Sequence, residues 1–284
     1  MTRTLHALDV SSAGRGEVRE DEAWQAARTP DGPGTMALRR RDGEVEAEAW
    51  GPGAAWLLDT LPYLLGLDDD PAGFDAGSGL VAELHRRSLG LHLGRTSRPF
   101  EAIVAAIVGQ RVTSRQAKGA YRRLVAAFGE QAPGPRPLRL GPSADILASL
   151  AYEDYHRFGI ERSRAVALIE TARRARRLEE VVAMDREASW RRLLTIRGVG
   201  LWTAAAVMGI AWGDRDAVPV GDYHLPSTVS WALAGEPRGD DERMLELLAP
   251  YGGQRRRVVL LLKSARLQAP KYGPRSPIVS IEHL

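Results

Sequence analysis

The sequence predicts an α+β protein, mainly α, in which an antiparallel sheet at the N-terminus precedes a helical remainder. Two observations carry this prediction. Asp42 and Gly43 form a turn signal between two strand-like runs, residues 36–40 and 45–50. From residue 99 onward, apolar residues instead recur at the three- and four-residue spacing of helices. A polar, breaker-rich stretch, 68–79, separates these parts, and we therefore expect domains over residues 1–85 and 86–284.

Helix boundaries in the second part are indicated by capping signals. Pro99 suits the first turn of a helix, where its missing N–H costs no hydrogen bond. Thr113 and Gln116 have the spacing of a capping box that begins the next helix. Further helices are expected near residues 143–158, 163–178 and 186–194, the last two with Ser163 and Asp185 as N-caps.

The composition excludes several kinds of chemistry. The 284 residues contain no cysteine, which excludes disulfides, thiolate zinc sites, iron–sulfur clusters and a cysteine nucleophile. Lys and Arg number 39 against 36 Asp and Glu, so the net charge of +3 says little about partners. The distribution is more informative, because acidic residues are frequent before residue 85 and arginine runs follow it. Such asymmetry favours a nucleic-acid-facing part, although solvated helix faces are the more common explanation for any single run. No apolar run is long enough for a signal peptide or a membrane span, which predicts a cytosolic protein.

Residues 195–200, Thr-Ile-Arg-Gly-Val-Gly, join two apolar helical segments. Gly198 and Gly200 permit positive φ and a close approach of the backbone to another group. The helix that begins near Leu201 adds unbonded N–H groups and the positive end of its dipole. These features suit a DNA phosphate, while Ile196 and Val199 are expected to pack beneath the turn. A plain helix–helix turn with a glycine C-cap is the alternative.

Asp222 follows in a loop that reads Val-Pro-Val-Gly-Asp. Aspartate is a favoured N-cap, and the next residues can form a helix, so the residue taken alone is best explained as a cap. Pro226 fits such a helix only within its first turn.

Taken together, these motifs resemble the helix-hairpin-helix superfamily of DNA base-excision glycosylases. The segment "RPFEAIVAAIVGQRVTSRQAKGAYRRLVAAFG" is similar to the alkylated-base branch, the bacterial inducible 3-methyladenine DNA glycosylases. The resemblance covers residues 60–265 and extends loosely to the N-terminal sheet. It implies a monofunctional N-glycosylase with a helical glycosylase core of two subdomains flanking the active-site cleft. The expected partner is double-stranded DNA with a damaged base. The chain is expected to be a monomer in the bacterial cytosol, where it acts on the nucleoid.

In this family the carboxylate at the position of Asp222 is catalytic, and the physics agrees with that role. Breaking the bond between base and deoxyribose builds positive charge on the sugar, which a carboxylate stabilises where water is excluded. The target base must first be flipped out of the duplex. Asp222 can cap the helix and perform chemistry together, since one carboxylate oxygen can serve each role.

Trp202 occupies the position at which strand-cutting members carry a lysine that forms a Schiff base. Tryptophan cannot do so, and no lyase activity is therefore expected. Trp202 is instead a candidate wall of the base pocket, or a core residue of the hairpin, and Tyr223 is a weaker pocket candidate. The residues expected to contact DNA are Gln110, Arg111, Arg197, Gly198, Val199, Gly200 and Thr203.

No cofactor is expected. Members of the family also hold a monovalent cation, Na⁺ or K⁺, on hairpin carbonyls, here those of Leu194, Ile196 and Val199. Arg111 stands where the branch fills the gap left by the flipped base, and it either fills that gap or meets a phosphate. Ala206 and Lys263 replace further pocket aromatics, which leaves the damaged base open, and His224 is best explained as an exposed helix residue. Two alternatives remain: a non-catalytic lesion-binding module, and a monofunctional glycosylase for oxidised or deaminated bases.

Overall fold

A four-stranded antiparallel meander forms the N-terminal part of the protein. The computed structural model describes residues 1–7 and 16–270. The strands β1 (Gly16–Val18), β2 (Glu22–Thr29), β3 (Gly32–Arg41) and β4 (Glu44–Trp50) pair in sequence order. Arg41 pairs with Glu44 across the Asp42-Gly43 turn, whose φ angles of 51° and 88° are those of a tight hairpin turn. The predicted hairpin is confirmed.

One face of the sheet is covered by three short helices, α1 (Thr2–Ala7), α2 (Ala54–Asp59) and α3 (Leu61–Leu65). Leu5, Leu57 and Leu64 from these helices are buried against Met36 and Leu38 of β3. Alternate residues of a strand point to the same face, which places the side chains at 36 and 38 side by side in this core. The sheet is therefore half of a two-layer unit that ends near residue 66.

The remainder of the described chain is helical, which confirms the mainly α fold class. Its helices are α4 (Leu80–Arg86), α5 (Pro99–Val108), α6 (Ser114–Phe128), α7 (Ala144–Ser149), α8 (Arg162–Ala172), α9 (Ala175–Glu179), α10 (Arg186–Leu194), α11 (Leu201–Val207), α12 (Leu225–Ala234), α13 (Asp241–Leu248) and α14 (Arg255–Ser264). The segments Tyr152–Phe158, Glu180–Ala183 and Ala249–Tyr251 are 3₁₀ turns, and Met208–Trp212 is a π-helical turn that continues α11.

Most of the expected helix caps are present. Pro99 occupies the first turn of α5, and Thr113 and Gln116 form a reciprocal capping box at α6. Asp185 accepts a hydrogen bond from the Ala188 N–H at the start of α10. The expectation for Ser163 is wrong, because α8 begins one residue earlier. The Ser163 hydroxyl donates a hydrogen bond to the Glu161 carboxylate and does not cap the helix backbone.

The helices build two apolar clusters. The first joins α5, α6, α8, α10 and α11, with Ile103, Leu124 and Leu168 fully buried. The second joins α12, α13 and α14 with α4, so that Val81 and Leu84 pack against the C-terminal helices. The boundary expected between residues 85 and 86 therefore falls inside α4. Because the stretch after residue 66 packs with the C-terminal helices, we place the division there.

A buried ion pair holds this early segment to the C-terminal cluster. Asp69 Oδ1 lies 2.5 Å from the Arg257 guanidinium, and both side chains are almost completely buried. The Arg215 guanidinium contacts the same oxygen, and the Leu93 N–H donates to Asp69 Oδ2. Each buried charge is thus paired and hydrogen-bonded, as a buried ion must be to avoid a large desolvation penalty.

Among the helices within residues 1–7 and 16–270, none has the length and apolar character needed to cross a lipid bilayer.

Candidate active site

The hairpin between α10 and α11 uses its two glycines differently. Gly198 has a φ of 85°, and a Cβ added there would lie 2.6 Å from the Cβ of Ala167 in α8. It is therefore required by both backbone conformation and space. Gly200 has an extended backbone, with φ −97° and ψ −174°, and faces open space. The expectation that both glycines supply positive φ is corrected: Gly198 shapes the turn, and Gly200 keeps its outer side open.

A loop at the end of α5 is tied to this hairpin by Gln110. Its side-chain amide donates to the Gly198 carbonyl at 2.9 Å and to the Thr203 hydroxyl at 2.8 Å. Both amide hydrogens are then used within the protein, and Thr203 is buried. These hydrogen bonds position the two loops relative to each other. The expected contacts of Gln110 and Thr203 with DNA remain predictions. Val199 and Ile196 are buried beneath the turn, as expected, so any contact of Val199 with DNA must come from its backbone.

Helix α8 supports both loops from below. Arg164 is buried and donates to the Val108 carbonyl at 2.8 Å, at the C-terminal end of α5. Burial lowers the pKa of this guanidinium, and Glu161 opposes the effect. Ala167, one turn further along the helix, is the residue that meets Gly198. Sequence reasoning missed this support, because no local signal separates a buried arginine from the exposed ones around it.

Arg111 is at the tip of the α5–α6 loop. It is exposed and has a φ of 56°, a conformation that costs a non-glycine residue about 1–3 kcal/mol. Arg197, at the hairpin, is exposed as well. Neither guanidinium has a hydrogen-bonding or ion-pair partner within residues 1–7 and 16–270. These two exposed cations therefore lie in the two loops that Gln110 joins.

Asp222 is placed at the start of α12 by hydrogen bonds to both carboxylate oxygens. Oδ1 accepts from the N–H groups of His224 and Leu225, at 2.9 and 2.8 Å. Oδ2 accepts from the Trp202 indole N–H at 3.1 Å. The N-cap of α12 is His224, so Asp222 lies two residues before the cap position expected for it, but its Oδ1 still binds the backbone N–H groups at the start of the helix. The other oxygen keeps a free lone-pair direction beside the indole.

The loop before Asp222 is pinned as well. Gly221, with a φ of 87°, donates its N–H to both carboxylate oxygens of Asp241 in α13. Pro226 lies in the first turn of α12, where it removes no helical hydrogen bond. The carboxylate of Asp222 is therefore held by three elements and has little freedom to move.

The surroundings of Asp222 keep it ionised. Burial alone would raise the pKa of this carboxyl. The hydrogen bonds from Trp202 and the two backbone N–H groups, together with the positive charge of Lys263, outweigh burial, so the pKa lies below its ordinary value. A half-buried carboxylate that is fully charged at neutral pH is suited to stabilising a cation.

The two expected pocket aromatics differ in position. Trp202 is half-buried, and its ring tip lies 3.6 Å from the space that a Cβ on Gly109 would occupy, between the α5–α6 loop and Asp222. Tyr223 is 91% exposed and packs its ring edge to face against His224. The structure thus brings Trp202 to Asp222 and leaves Tyr223 and His224 exposed on the surface. A role for Tyr223 at the base pocket remains a prediction.

Two cations of α14 complete the site. Lys263 is solvent-accessible and close enough to Asp222 for each charge to shift the pKa of the other. Arg256 precedes it by seven residues, which places both on one face of the helix. The Arg256 guanidinium packs against Gly209, where an added Cβ would overlap it. Sequence reasoning noted Lys263 as a replaced aromatic but missed Arg256, although the seven-residue spacing was a usable signal.

In the part of the chain that the structure describes, no group of three or more His, Asp or Glu side chains is arranged to hold a metal ion.

The residues of the candidate active site lie in a region that matches a known protein family. A family model described as "HhH-GPD superfamily base excision DNA repair protein" matches residues 104–258, more than half of the chain. The hairpin, Trp202 and Asp222 all lie within the matched range.

Curated relatives and solved structures agree with this match. A protein named "Probable bifunctional transcriptional activator/DNA repair enzyme AlkA", from Mycobacterium tuberculosis, is 29% identical over 230 residues, 78% of this chain and 46% of that protein. "DNA-3-methyladenine glycosylase 2" of Escherichia coli is 29% identical over 176 residues, 61% of each chain. This chain thus matches about half the length of the first relative and less than two thirds of the second. The structure of a 3-methyladenine DNA-glycosylase from Archaeoglobus fulgidus superposes with a TM-score of 0.78 at 20% identity, covering 93% of this chain and 94% of that one. At this identity the likeness shows a shared fold.

Proposed function

Because the chain belongs to the HhH-GPD superfamily of base excision DNA repair proteins, we propose that it is a monofunctional DNA glycosylase. It flips a damaged base, an alkylated purine such as 3-methyladenine, out of duplex DNA and hydrolyses the N-glycosidic bond, leaving an abasic site. The observation that carries this proposal is the fixed, ionised carboxylate of Asp222 beside the hairpin. The choice of alkylated purines is supported by the relatives, two of which are named as 3-methyladenine glycosylases.

The proposed chemistry follows from the charge of Asp222. As the bond between C1′ and the base nitrogen breaks, its electron pair leaves with the base and the sugar becomes cationic. A carboxylate held in position before the reaction stabilises that cation without reorganising. The free lone pair of Oδ2 can also orient the water that adds to C1′. The hydrogen bonds from Trp202 and the backbone favour this role, because they keep Asp222 ionised.

The DNA contacts are proposed for the exposed groups. Gly200 and the N–H groups at the start of α11 offer an open seat for a phosphate, and Arg197 adds positive charge. Arg111, at the tip of the neighbouring loop, either fills the gap left by the flipped base or meets a phosphate. These contacts predict that binding weakens as the salt concentration rises.

Monofunctional hydrolysis is supported by Trp202. Its indole has no amine that could attack the sugar, and it donates its N–H to Asp222 instead. Base release by hydrolysis leaves the strand intact until alkali cleaves it.

A monovalent cation on the hairpin carbonyls of Leu194, Ile196 and Val199 is proposed as a structural aid. The Ile196 carbonyl accepts one hydrogen bond, from the Val199 N–H, and keeps a second lone pair for an ion. A cation bound there would stabilise the turn next to the proposed phosphate-binding site at Gly200.

The experiment that tests the function is a base-release assay on methylated duplex DNA, read by mass spectrometry with and without alkali. We expect free methylpurine from the wild type, strand breaks only after alkali, and a loss of roughly 100- to 1000-fold in rate for Asp222→Asn. Asparagine caps helices about as well as aspartate, so the helix should survive the substitution.

Asp185→Asn is a matched control, because it makes the same exchange at the N-cap of α10. It should retain wild-type activity. If neither the wild type nor the control releases a base from methylated, oxidised or deaminated DNA, the glycosylase proposal is wrong, and a lesion-binding module becomes the better explanation.

A further inference from the structure

A cavity of about 230 Å³ lies beyond the C-terminal end of α11, away from the hairpin. It is lined by one glycine and five side chains, Gly213, Asp68, Leu93, Arg95, Trp212 and Arg215. Sites that hold drug-sized ligands measure about 300–1,000 Å³, so this cavity suits a smaller molecule. Trp212 follows Trp202 by ten residues along one continuous helical segment, which separates the two indoles by on the order of 15 Å. The cavity is therefore distinct from the candidate active site.

The π-helical turn Met208–Trp212 forms one wall of this cavity and holds the neighbouring segment in place. Two of its carbonyls accept hydrogen bonds from the backbone N–H groups of Thr96 and Ser97, at 2.8 and 3.2 Å. Gly213 follows the turn with a φ of 89°, and a Cβ added there would lie 3.1 Å from Cδ of Arg95. The absence of a side chain lets the stem of Arg95 pack across the end of the turn. Such π-helical turns are frequent at functional sites.

The two guanidinium groups of the cavity are each held on one side. Arg95 Nη1 lies 3.0 Å from Asp68 Oδ2, and its guanidinium carbon lies 4.3 Å from the centre of the Tyr63 ring. Arg215 Nε lies 3.2 Å from Asp69 Oδ1, and its Nη2 donates to the Asp68 carbonyl. Nε and Nη2 of Arg95 and Nη1 of Arg215 bond no acceptor among residues 1–7 and 16–270. Both side chains are about one-third exposed, so these N–H groups are accessible to a ligand.

The charges around the cavity do not balance. Ion pairs connect five side chains into one group, which consists of two carboxylates and three guanidinium groups, those of Asp68, Asp69, Arg95, Arg215 and Arg257. Two negative charges against three positive charges leave the group with a net charge of +1 at neutral pH. A charge removed from water is stabilised by an opposite charge beside it. An anion between Arg95 and Arg215 would supply that charge.

Trp212 and Leu93 indicate what else the ligand carries. The Trp212 indole N–H donates to the Met184 carbonyl at 3.1 Å, so the indole offers the cavity apolar surface and no free donor. Leu93 adds aliphatic surface beside it. Aromatic rings pack well against an indole, and guanidinium groups bind carboxylates and phosphates through paired N–H groups. The lining thus combines a place for a ring with a place for an oxyanion.

We propose that this cavity is a second binding site of the protein, for a small molecule that carries an oxyanion, phosphate or carboxylate, on a flat ring. The oxyanion accepts hydrogen bonds from the unbonded N–H groups of Arg95 and Arg215, and the ring packs against Trp212 and Leu93. Mononucleotides and aromatic carboxylates are the two sources of this chemistry. The carboxylate of Asp68 opposes binding, because it brings a like charge to the cavity wall. The proposal goes beyond the glycosylase function and does not depend on it.

Isothermal titration calorimetry of the full chain tests the site. The probes are benzoate, phenyl phosphate and deoxyadenosine 5′-monophosphate, and benzyl alcohol is the neutral control. We expect saturable binding of the anionic probes with a Kd below about 1 mM, and no saturable binding of benzyl alcohol. Tighter binding of the nucleotide than of phenyl phosphate would support the site and identify nucleotides as the source. Tighter binding of benzoate would support it and identify carboxylates.

Two variants should change the affinity in opposite directions. Arg95→Met keeps a stem over Gly213 but removes the guanidinium, and the loss of a charge-assisted hydrogen bond should weaken binding about 10- to 100-fold. Asp68→Asn removes the opposing charge and should strengthen binding about 3- to 10-fold. Arg40→Met is the control, since it removes an exposed arginine that pairs with Asp21 in the sheet, and it should bind the probes as the wild type does. Partial unfolding of a variant cannot produce the gain expected for Asp68→Asn.

Three results would overturn the proposal. The first is the absence of saturable binding for all three anionic probes, and the second is equal binding of benzyl alcohol. The third is an unchanged affinity in both Arg95→Met and Asp68→Asn, which would place the bound probe outside the cavity. The titration contains no DNA, so each of these results leaves the proposed glycosylase function intact. Failure of the base-release assay would likewise leave this site untouched.

Discussion

The two hairpin glycines allow a prediction that separates folding from DNA binding. Substitution by alanine should lower the stability of the protein at Gly198 and its affinity for DNA at Gly200. In Gly198→Ala, the new side chain must adopt a left-handed backbone at φ 85°, which costs about 1–2 kcal/mol. Its Cβ would also lie 2.6 Å from that of Ala167, and overpacking of this kind typically costs about 1–3 kcal/mol. We therefore expect the free energy of unfolding to fall by about 2–5 kcal/mol.

Gly200→Ala should leave stability unchanged or raise it slightly. Its backbone is already extended and nothing lies within 4 Å of the new Cβ. Reducing the freedom of the unfolded chain stabilises by about 0.4–1 kcal/mol. The methyl group would, however, stand where we propose that a phosphate approaches. Losing one charge-assisted hydrogen bond, about 1.5–3 kcal/mol, should weaken DNA binding about 10- to 100-fold.

Both variants can be measured by urea unfolding followed through tryptophan fluorescence, and by binding to a duplex with an uncleavable abasic analogue at fixed salt. Each glycine is the control for the other. Wild-type affinity in Gly200→Ala would refute the phosphate seat, whereas wild-type stability in Gly198→Ala would refute the steric argument.

Two further predictions concern the chemistry. Trp202→Phe removes the donor to Asp222 Oδ2, so the pKa of Asp222 should rise; because activity needs the carboxylate, the acid limb of the pH–rate profile should move to higher pH. Trp212→Phe is the control, because it removes an indole that donates to the Met184 carbonyl, and it should leave the acid limb in place. An unshifted acid limb in Trp202→Phe would show that the Trp202 indole does not control the pKa of Asp222. Borohydride treatment during turnover should trap no covalent protein–DNA adduct, since Trp202 offers no amine to the sugar. A trapped adduct on a denaturing gel would contradict monofunctional hydrolysis, and its loss in Lys263→Met would identify the amine.

Features that depend on a few adjacent residues were predictable from the sequence. The Asp42-Gly43 turn, the Thr113 capping box and the N-cap at Asp185 each need only local spacing and backbone preference. These interactions form between residues a few positions apart, so they do not depend on contacts with distant parts of the chain and can be predicted from the local sequence.

Features that depend on distant partners were not predictable. Thr203 looked accessible because it follows the hairpin, yet Gln110, which lies 93 positions earlier, bonds its hydroxyl in the interior. The polar stretch at 68–79 looked like a linker, but Asp69 at its start is buried with Arg257. Arg256 resembled its two neighbours in sequence, but Asp216 pairs with Arg255 and Asp69 pairs with Arg257.

The Asp69–Arg257 pair also has a consequence for how the protein is made. Its two residues are 188 positions apart, and the cluster around them joins α4 to the last three helices. During synthesis from the N-terminus, the first helical cluster can fold before α12, α13 and α14, against which α4 packs, have been made. Contacts of such long sequence separation close late and slowly. The nascent chain therefore holds a folded hairpin before Lys263 reaches Asp222, and a truncated chain ending before α14 should expose α4 to chaperones or proteases.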